Sequence, residues 1–149
     1  MKGIIYASNL VSDEIQEIIS KAQDSNILHG ITGFIFLRNN TVVQYFEGDE
    51  NKVDQLWENI CQDDRHIIIR KLPITVQQRL FSEWGMQDLT FPWPPRGVEQ
   101  SIKASKLSSL NSLALYLSAP RETINSALIL RTLTSFSSFI SNSKLKQGF

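Results

Sequence analysis

Residues 41–48 read TVVQYFEG, a stretch with the composition of a strand and one amide side chain on an otherwise apolar face. β-Branched and aromatic residues crowd its middle, which favours a strand. Alternation along a strand places Val42, Gln44 and Phe46 together on one face. A carboxamide left unpaired in a core costs about 1–3 kcal/mol. Gln44 therefore needs a hydrogen-bonding partner on that face.

The segments around this strand alternate between strand and helix patterns. TGFIFL at 32–37 reads as a preceding strand, and RNN at 38–40 favours a hairpin because Asn tolerates the left-handed conformation. Helical spacing predicts one helix before the hairpin, with Ser12 as N-cap and an end near 25–26, and another after it, with Asp49 as cap. The predicted apolar stripes are Ile15, Ile18, Ile19 and Ala22, and then Val53, Leu56, Trp57, Ile60 and Cys61.

The order of these elements predicts an α+β fold. GIIYA at 3–7 reads as the first strand and IIIRKLPITV at 67–76 as the fourth, with an irregularity at Pro73. FSEWGMQDL at 81–89 reads as one more strand. The order βαββαβ(β) is that of a ferredoxin-like sheet with two helices on one face. The strand order 4-1-3-2 would place the first strand beside the third, which is TVVQYFE.

The Pro-rich run FPWPPRG breaks any regular element and marks a boundary. We predict a first domain over residues 1–92, a linker over 93–97 and a C-terminal helical extension over 98–149. The extension would contain two helices, which could cap the sheet, form an oligomer interface or bind a partner. Their predicted apolar positions are Leu107, Leu110, Ala114 and Leu117, and then Ile124, Leu128, Leu133 and Phe136.

Composition disfavours several classes of protein. The 149 residues carry 15 Lys and Arg against 15 Asp and Glu, so no global charge points to nucleic acid. Residues 1–94 hold 8 basic and 13 acidic side chains, and residues 95–149 hold 7 basic and 2 acidic ones. This uneven distribution either indicates two oppositely charged surfaces that face each other or is random scatter. The sequence predicts a cytoplasmic protein. It contains one Cys, no apolar run near the roughly 18–20 residues of a membrane span, and no signal-peptide pattern. Two His and one Cys are too few for a Cys/His metal cluster.

Three polar side chains are placed where they could meet a ligand. Tyr6 and Gln44 share one face of adjacent predicted strands, and either they merely satisfy each other by a hydrogen bond or they both contact a bound polar molecule. Asn26 lies just before GITG, and it is either a helix C-cap or a further contact of that molecule. Periodicity alone leaves these alternatives open.

Two further pairs have similar alternatives. Arg65 and His66 in DDRH are either part of a solvated connector or anchors for phosphate groups. Trp84 and Met86 lie two apart on one strand face, where they are either core residues or the lining of an aromatic ring's pocket.

Taken together, the motifs IIYAS, SNILHGITGFIF, VVQYFEG, DDRH and FSEWGM resemble, in order and approximate spacing, the BLUF family of flavin-binding blue-light sensors. The resemblance covers residues 1–92. Each motif is weak alone, whereas N(x4)ITG followed by a hairpin and QxxEG is specific. It implies a ferredoxin-like domain whose two helices hold a non-covalent FAD on one face of the sheet.

The resemblance also implies roles for individual residues. Tyr6 matches the family's electron donor, Gln44 the glutamine that bridges this tyrosine and the flavin ring, and Asn26 the asparagine at the ring's carbonyl edge. The other matches are Ile18 and Ile60, which sandwich the ring, Arg65 and His66, near the ribityl–phosphate part, and Trp84 and Met86, which relay the signal near Gln44. Three residues depart from the family pattern, which bears on affinity and photocycle kinetics: Ser25, Asn59 and Gly85.

The implied function is light sensing without net chemistry, so the prediction is a photoreceptor and not an enzyme. Light would move an electron and then a proton from Tyr6 towards the flavin and leave the Gln44 amide rotated or tautomerised. Fewer than 60 residues follow position 97, which is short for a cyclase or phosphodiesterase domain. The chain resembles the short class of the family, which signals through a homo-oligomer or a separate protein partner. The alternative is a flavin-free ferredoxin-like interaction module.

Overall fold

A computed structural model describes residues 1–82, 85–88, 112–118 and 125–146. The side chains of residues 25, 27, 28, 87, 88 and 139–146 are outside this description. The elements in chain order are β1 Lys2–Leu10, α1 Ile15–His29, β2 Thr32–Arg38, β3 Thr41–Gly48, α2 Glu50–Gln62, β4 His66–Thr75, β5 Gly85–Asp88, the helical residues 112–118 as α3, and α4 Ser126–Lys146. The predicted βαββαβ order with one further strand is confirmed.

The five strands form one sheet in the order β4-β1-β3-β2-β5. The predicted order of the first four strands is confirmed, and β5 adds to β2 in parallel while every other pair is antiparallel. Tyr6 of β1 is the direct register partner of Gln44 of β3. The two side chains therefore meet on one face, as the alternation predicts.

Each face of the sheet has its own hydrophobic cluster, because the strands are apolar on both sides. Helices α1 and α2 cover one face, here called the α1/α2 face, with the core residues Ile4, Tyr6, Ile19, Ile35, Val42, Phe46, Val53 and Met86. Helices α3 and α4 cover the other, the α3/α4 face, where Leu113, Ala114, Leu117, Ile129, Leu133 and Phe136 pack on Ile5, Ala7, Phe34, Phe36, Val43 and Tyr45. The described part of the C-terminal segment thus caps the sheet opposite α1 and α2.

Helix α1 differs from the prediction at both ends. It begins at Ile15, and the Ser12 hydroxyl, predicted as its N-cap, instead accepts a hydrogen bond from the Glu14 N–H at 3.2 Å in the preceding turn. It continues to His29, because Gly30 supplies the left-handed conformation (φ 65°) that ends it. Asn26 is therefore inside the helix, and its backbone carbonyl accepts from the Ile31 N–H. The C-cap interpretation of Asn26 is wrong.

Other local predictions have mixed outcomes. Asn39 has φ 56°, as the hairpin turn requires, and the Asp49 carboxylate accepts from the Lys52 N–H at 3.4 Å as the cap of α2. The irregularity of β4 is at Ile69, where the pairing with β1 shifts register, and not at Pro73. Pro73 is tolerated because β4 is an edge strand.

Two residues predicted to lie on apolar helix stripes are exposed. Cys61 is exposed on α2, so its predicted packing role is wrong. Leu128 of α4 is 43% exposed, and Ile129 takes the buried position instead. Leu107, Leu110, Ile124 and the linker 93–97 lie outside the described residues. Across the described part of the chain, none of the helices is long and apolar enough to cross a membrane.

Candidate functional site

The centre of the site is a hydrogen bond between two buried side chains on adjacent strands. The Tyr6 hydroxyl donates to Oε1 of Gln44 at 2.5 Å. Burial, assisted by the nearby Asp63 and Cys61, raises the pKa of Tyr6 far above its usual value, so the phenol stays protonated and remains a donor. Because Oε1 accepts from Tyr6, the NH₂ end of Gln44 points away from the tyrosine.

The NH₂ end of Gln44 meets a methionine. Its Nε2 lies 3.3 Å from Sδ of Met86, a thioether that accepts hydrogen bonds only weakly. Met86 is fully buried in β5 with φ 75°, a conformation that non-glycine residues seldom adopt and that is often found at functional sites. Its backbone carbonyl accepts from Nε2 of Gln23 on α1 at 3.0 Å. Gln44 therefore has donor capacity for a stronger acceptor than sulfur.

Asn26 supplies a second amide on the same side of the sheet. It is 1% exposed, yet neither Nδ2 nor Oδ1 has a hydrogen-bond partner among the described residues. It lies three positions after Gln23, so the two side chains are neighbours on the helix face that turns towards β5. A buried amide without a partner costs about 1–3 kcal/mol. A polar ligand edge at this place would remove that cost.

The walls of the site are aliphatic. Ile18 of α1 and Ile60 of α2 are half-buried and pack on the cluster of the α1/α2 face. Both helices pack on the sheet, whereas among the described residues they make little contact with each other. Two half-buried isoleucines on the two helices of this sheet face, together with the amides of Gln44 and Asn26, suit a flat molecule with apolar faces and a polar edge. The residues present fit the isoalloxazine ring of a flavin.

Three aromatic rings surround Tyr6. Its ring lies edge-on to Trp57 at 5.3 Å, His66 at 6.1 Å and Phe46 at 6.3 Å between centroids. The Lys71 ammonium lies 5.0 Å from the centre of the Trp57 ring. These contacts fix the orientation of the phenol towards Gln44.

The basic pair after α2 is held by protein groups. Arg65 donates through Nε and Nη2 to the carboxylate of Asp63 at 2.9 and 2.7 Å. His66 uses both ring nitrogens: Nε2 donates to the Ile60 carbonyl at 2.9 Å, and Nδ1 lies 2.8 Å from Oγ of Ser8. Because the carbonyl can only accept, Nε2 carries a hydrogen, and Nδ1 forms the hydrogen bond with the Ser8 hydroxyl. His66 thus ties α2 to β1 beside Ile60.

Comparison with known proteins agrees with this geometry. The family model for BLUF, described as sensors of blue light using FAD, matches residues 1–87. The chain belongs to the BLUF family. As a BLUF protein it has a flavin as its expected ligand, which is the molecule that the two amides and two isoleucines fit.

Individual relatives extend the comparison. The chain is 33% identical over 89 residues to the blue light- and temperature-regulated antirepressor BluF of Escherichia coli (strain K12), a match that covers 56% of this chain and 22% of that protein. It is similar to the structure of a bacterial light-regulated adenylyl cyclase (28% identity, TM-score 0.58), covering 77% of this chain and 35% of the cyclase chain. The chain therefore spans only about a fifth to a third of these two relatives.

Two solved structures match over nearly their whole length. They are the photo-activated state of BlsA, with TM-score 0.67, 21% identity and coverage of 92% of this chain and 95% of that one, and the dark state of the BLUF protein BlrB, with TM-score 0.61, 22% identity and coverage of 95% and 96%. At this identity the likeness concerns the fold. It confirms the predicted α+β ferredoxin-like arrangement of the BLUF chain.

The sequence pattern finds some residues of this BLUF site and misses others. Met86 lies against Gln44, while Trp84 falls outside the described residues. The sequence did not single out Gln23, because a glutamine on an amphipathic helix gives no sign of its hydrogen bond to the Met86 carbonyl. Ser8 was missed because its buried hydroxyl pairs with His66 across 58 positions of sequence. Glu47 lies outside this site, on the opposite face of the sheet, and an acid within a strand that is buried on both faces is a signal in the sequence.

Proposed function

We propose that this chain senses blue light by a flavin bound between α1 and α2 and by a rearrangement of the hydrogen bonds of Tyr6 and Gln44. The observation that carries the proposal is the hydrogen bond that the Tyr6 hydroxyl donates to Gln44. This bond leaves the NH₂ group of Gln44 against a weak acceptor, the sulfur of Met86. The unpartnered amide of Asn26 supports the same ligand position.

The chain's own residues explain how the site would respond. When bound and excited by blue light, the flavin supplies a strong oxidant. Tyr6 is the nearby phenol that can give up an electron, and its proton is already directed at Oε1 of Gln44. A Gln44 amide left rotated or tautomerised would offer its donor to a bound flavin in a new direction, and the added hydrogen bond would shift the absorption to longer wavelength. The electron and the proton would both return to Tyr6, so no net chemistry results. The Gln44 amide would later relax to its dark orientation.

The output needs more than one exchanged hydrogen bond. A single such bond contributes about 1 kcal/mol net, whereas conversion of a two-state element from 1:99 to 99:1 needs roughly 5.5 kcal/mol. Met86 contacts Gln44 and lies in β5, the last strand before the C-terminal part of the sequence. We propose that β5, with Trp84 and Met86, passes the change towards the C-terminal extension 98–149 across the linker 93–97.

For the cofactor, we propose FAD. Arg65 and His66 follow α2. The Arg65 guanidinium is a partly buried cation whose present partners, the carboxylates of Asp63 and Glu14, could be exchanged for a phosphate. Replacing Arg65 with Gln should weaken binding of FAD about tenfold and leave riboflavin binding unchanged, because riboflavin has no phosphate. Equal loss for both ligands in a fluorescence titration would place Arg65 away from the phosphates.

For the partner, we propose a cytoplasmic homo-oligomer or a separate downstream protein. The E. coli relative is an antirepressor and another relative is a light-regulated adenylyl cyclase, so similar domains serve different effectors. We propose that the present chain is itself a sensor and not a catalyst.

The decisive test is an absorption spectrum of the purified protein before and after blue illumination. The proposal predicts a yellow protein whose flavin band shifts reversibly to longer wavelength. A colourless preparation that binds no added FAD would instead support the flavin-free interaction module.

A further inference from the structure

Glu47 of β3 is a fully buried acid on the α3/α4 face, opposite the proposed flavin. Each of its carboxylate oxygens accepts two hydrogen bonds. Oε1 accepts from the Tyr45 hydroxyl at 3.0 Å and the Leu80 N–H at 2.7 Å, and Oε2 accepts from the Phe81 N–H at 2.7 Å and the Thr32 hydroxyl at 3.2 Å. Four donors satisfy a buried carboxylate, and two of them are consecutive backbone N–H groups of one loop.

That loop, residues 79–82, is also bound to α4. The Leu80 carbonyl accepts a hydrogen bond from the Ser137 hydroxyl. The Phe81 ring lies 6.2 Å from Phe136 of α4 and 5.2 Å from Phe34 of β2. Loop 79–82 is therefore bound on one side to β3 through Glu47 and on the other to α4.

The same loop leads into the light-sensitive pair. After two further residues the chain enters β5, where Met86 contacts Gln44. Gln44 and Glu47 lie three positions apart on β3, on opposite faces of the sheet. A displacement of Met86 or of β3 relative to loop 79–82 thus acts on the hydrogen bonds of Glu47.

We propose that Glu47 is a positioning residue that couples the state of Gln44 to α4 by holding loop 79–82 against β3. This inference rests on the proposed light-sensing function and adds its output route. In the dark arrangement the four bonds of Glu47 fix Leu80 and Phe81, and these fix Ser137 and Phe136. A change at Gln44 moves β5 and β3 relative to each other and loosens the contacts of α4.

Glu47→Gln tests the coupling. A glutamine has one oxygen and one NH₂ group, so in either orientation its NH₂ faces two donors of the original site. The Tyr6–Gln44 pair is on the other face, so flavin binding and the red shift should persist. The measurement is hydrogen–deuterium exchange of the flavin-loaded protein in darkness and under blue light, with the amides of residues 129–136 as readout.

In the wild type we expect exchange in this part of α4 to rise roughly fivefold under light, the factor that corresponds to loss of one net hydrogen bond. In Glu47→Gln the light and dark rates should be equal. Tyr45→Phe and Thr32→Val are the controls, because each removes one donor from a carboxylate that keeps three, and both should retain the response. An unchanged light response of α4 in folded, flavin-loaded Glu47→Gln would overturn the proposal.

A second pair of variants decides the matter if Glu47→Gln does not fold. Ser137→Ala removes the bond from α4 to Leu80 and should abolish most of the light response of α4 while the red shift remains. Thr134→Ala is its matched control, because Thr134 donates to Leu130 within α4 at 2.8 Å. If Ser137→Ala and Thr134→Ala respond alike, the proposal is wrong. A wild type without a red shift refutes the light-sensing function, whereas a red shift with no change in α4 refutes only the coupling.

Discussion

The hydroxyl of Tyr6 lies 2.5 Å from Oε1 of Gln44, and this bond fixes the direction of the glutamine amide in the dark arrangement. Register pairing of β1 and β3 brings the two residues together, and burial keeps the phenol protonated. The Gln44 amide accepts a strong hydrogen bond from Tyr6 at one end and donates to a weak acceptor, Met86, at the other. Such an amide is suited to switching, because its two orientations differ in free energy by about one hydrogen bond.

Replacing Gln44 with Leu should abolish the light-induced red shift and leave the flavin bound. Leucine keeps the volume of the side chain but has neither a donor nor an acceptor, so no exchange of hydrogen bonds remains. The measurement is the light-minus-dark absorption spectrum, with flavin occupancy determined after denaturation. Gln16→Leu, on the exposed side of α1, is the control for the substitution itself. A normal red shift in Gln44→Leu would disprove the proposed switch.

Replacing Asn26 with Leu should have opposite effects on the free and the flavin-bound protein. Without flavin, the buried amide has no described partner, so its removal should raise the free energy of unfolding by about 1 kcal/mol. With flavin, a hydrogen bond is lost and affinity should fall about 10- to 100-fold. Urea unfolding of the apoprotein and flavin titration measure the two effects separately. Destabilisation of the apoprotein by this change would show that Asn26 has a structural role of its own.

The sheet could be predicted from the sequence because strands leave a local, periodic pattern of apolar and polar residues. Alternation along TVVQYFEG placed Gln44 on the face of Tyr6, and the ferredoxin-like order placed the two strands side by side. The site residues on helices were less predictable. The predicted end of α1 is three to four residues early, because Asn26 resembles a cap while the residue that ends the helix, Gly30, lies beyond it.

The remaining differences come from contacts that no local pattern contains. The role of Glu47 depends on two backbone N–H groups 33 and 34 positions away. The exposure of Leu128 depends on how α4 is rotated about its axis on the sheet. In the observed rotation the neighbouring Ile129 is buried and Leu128 faces solvent. Helical spacing selects a stripe but leaves its phase uncertain by one residue when two apolar residues are adjacent.

The pair of Asp63 and Arg65 should make stability depend on acid pH. Hydrogen bonds from Arg65 lower the pKa of Asp63 to about 2, below the ordinary 3.8. A depressed carboxyl pKa stabilises the folded state above the ordinary value, and the contribution disappears as the pH falls from about 4 through about 2. At neutral pH, Asp63→Asn should cost about 0.2–1 kcal/mol, because the pair is partly exposed. Urea unfolding at several pH values should show the difference in free energy of unfolding between wild type and Asp63→Asn narrowing between about pH 4 and pH 2. A difference that stays constant with pH would contradict the assignment.

Two leucines of α4 test how firmly the C-terminal helix is bound to the sheet. Leu133 is 1% exposed and packs in the cluster of the α3/α4 face, whereas Leu128 is 43% exposed. Leu133→Ala should lower the free energy of unfolding by about 2–5 kcal/mol, because it leaves a cavity in a packed core. Leu128→Ala removes the same atoms from a solvent-facing position and should cost less than about 0.5 kcal/mol. Denaturant unfolding of the two variants gives the comparison, and equal small effects would mean that α4 is not docked on the sheet in solution.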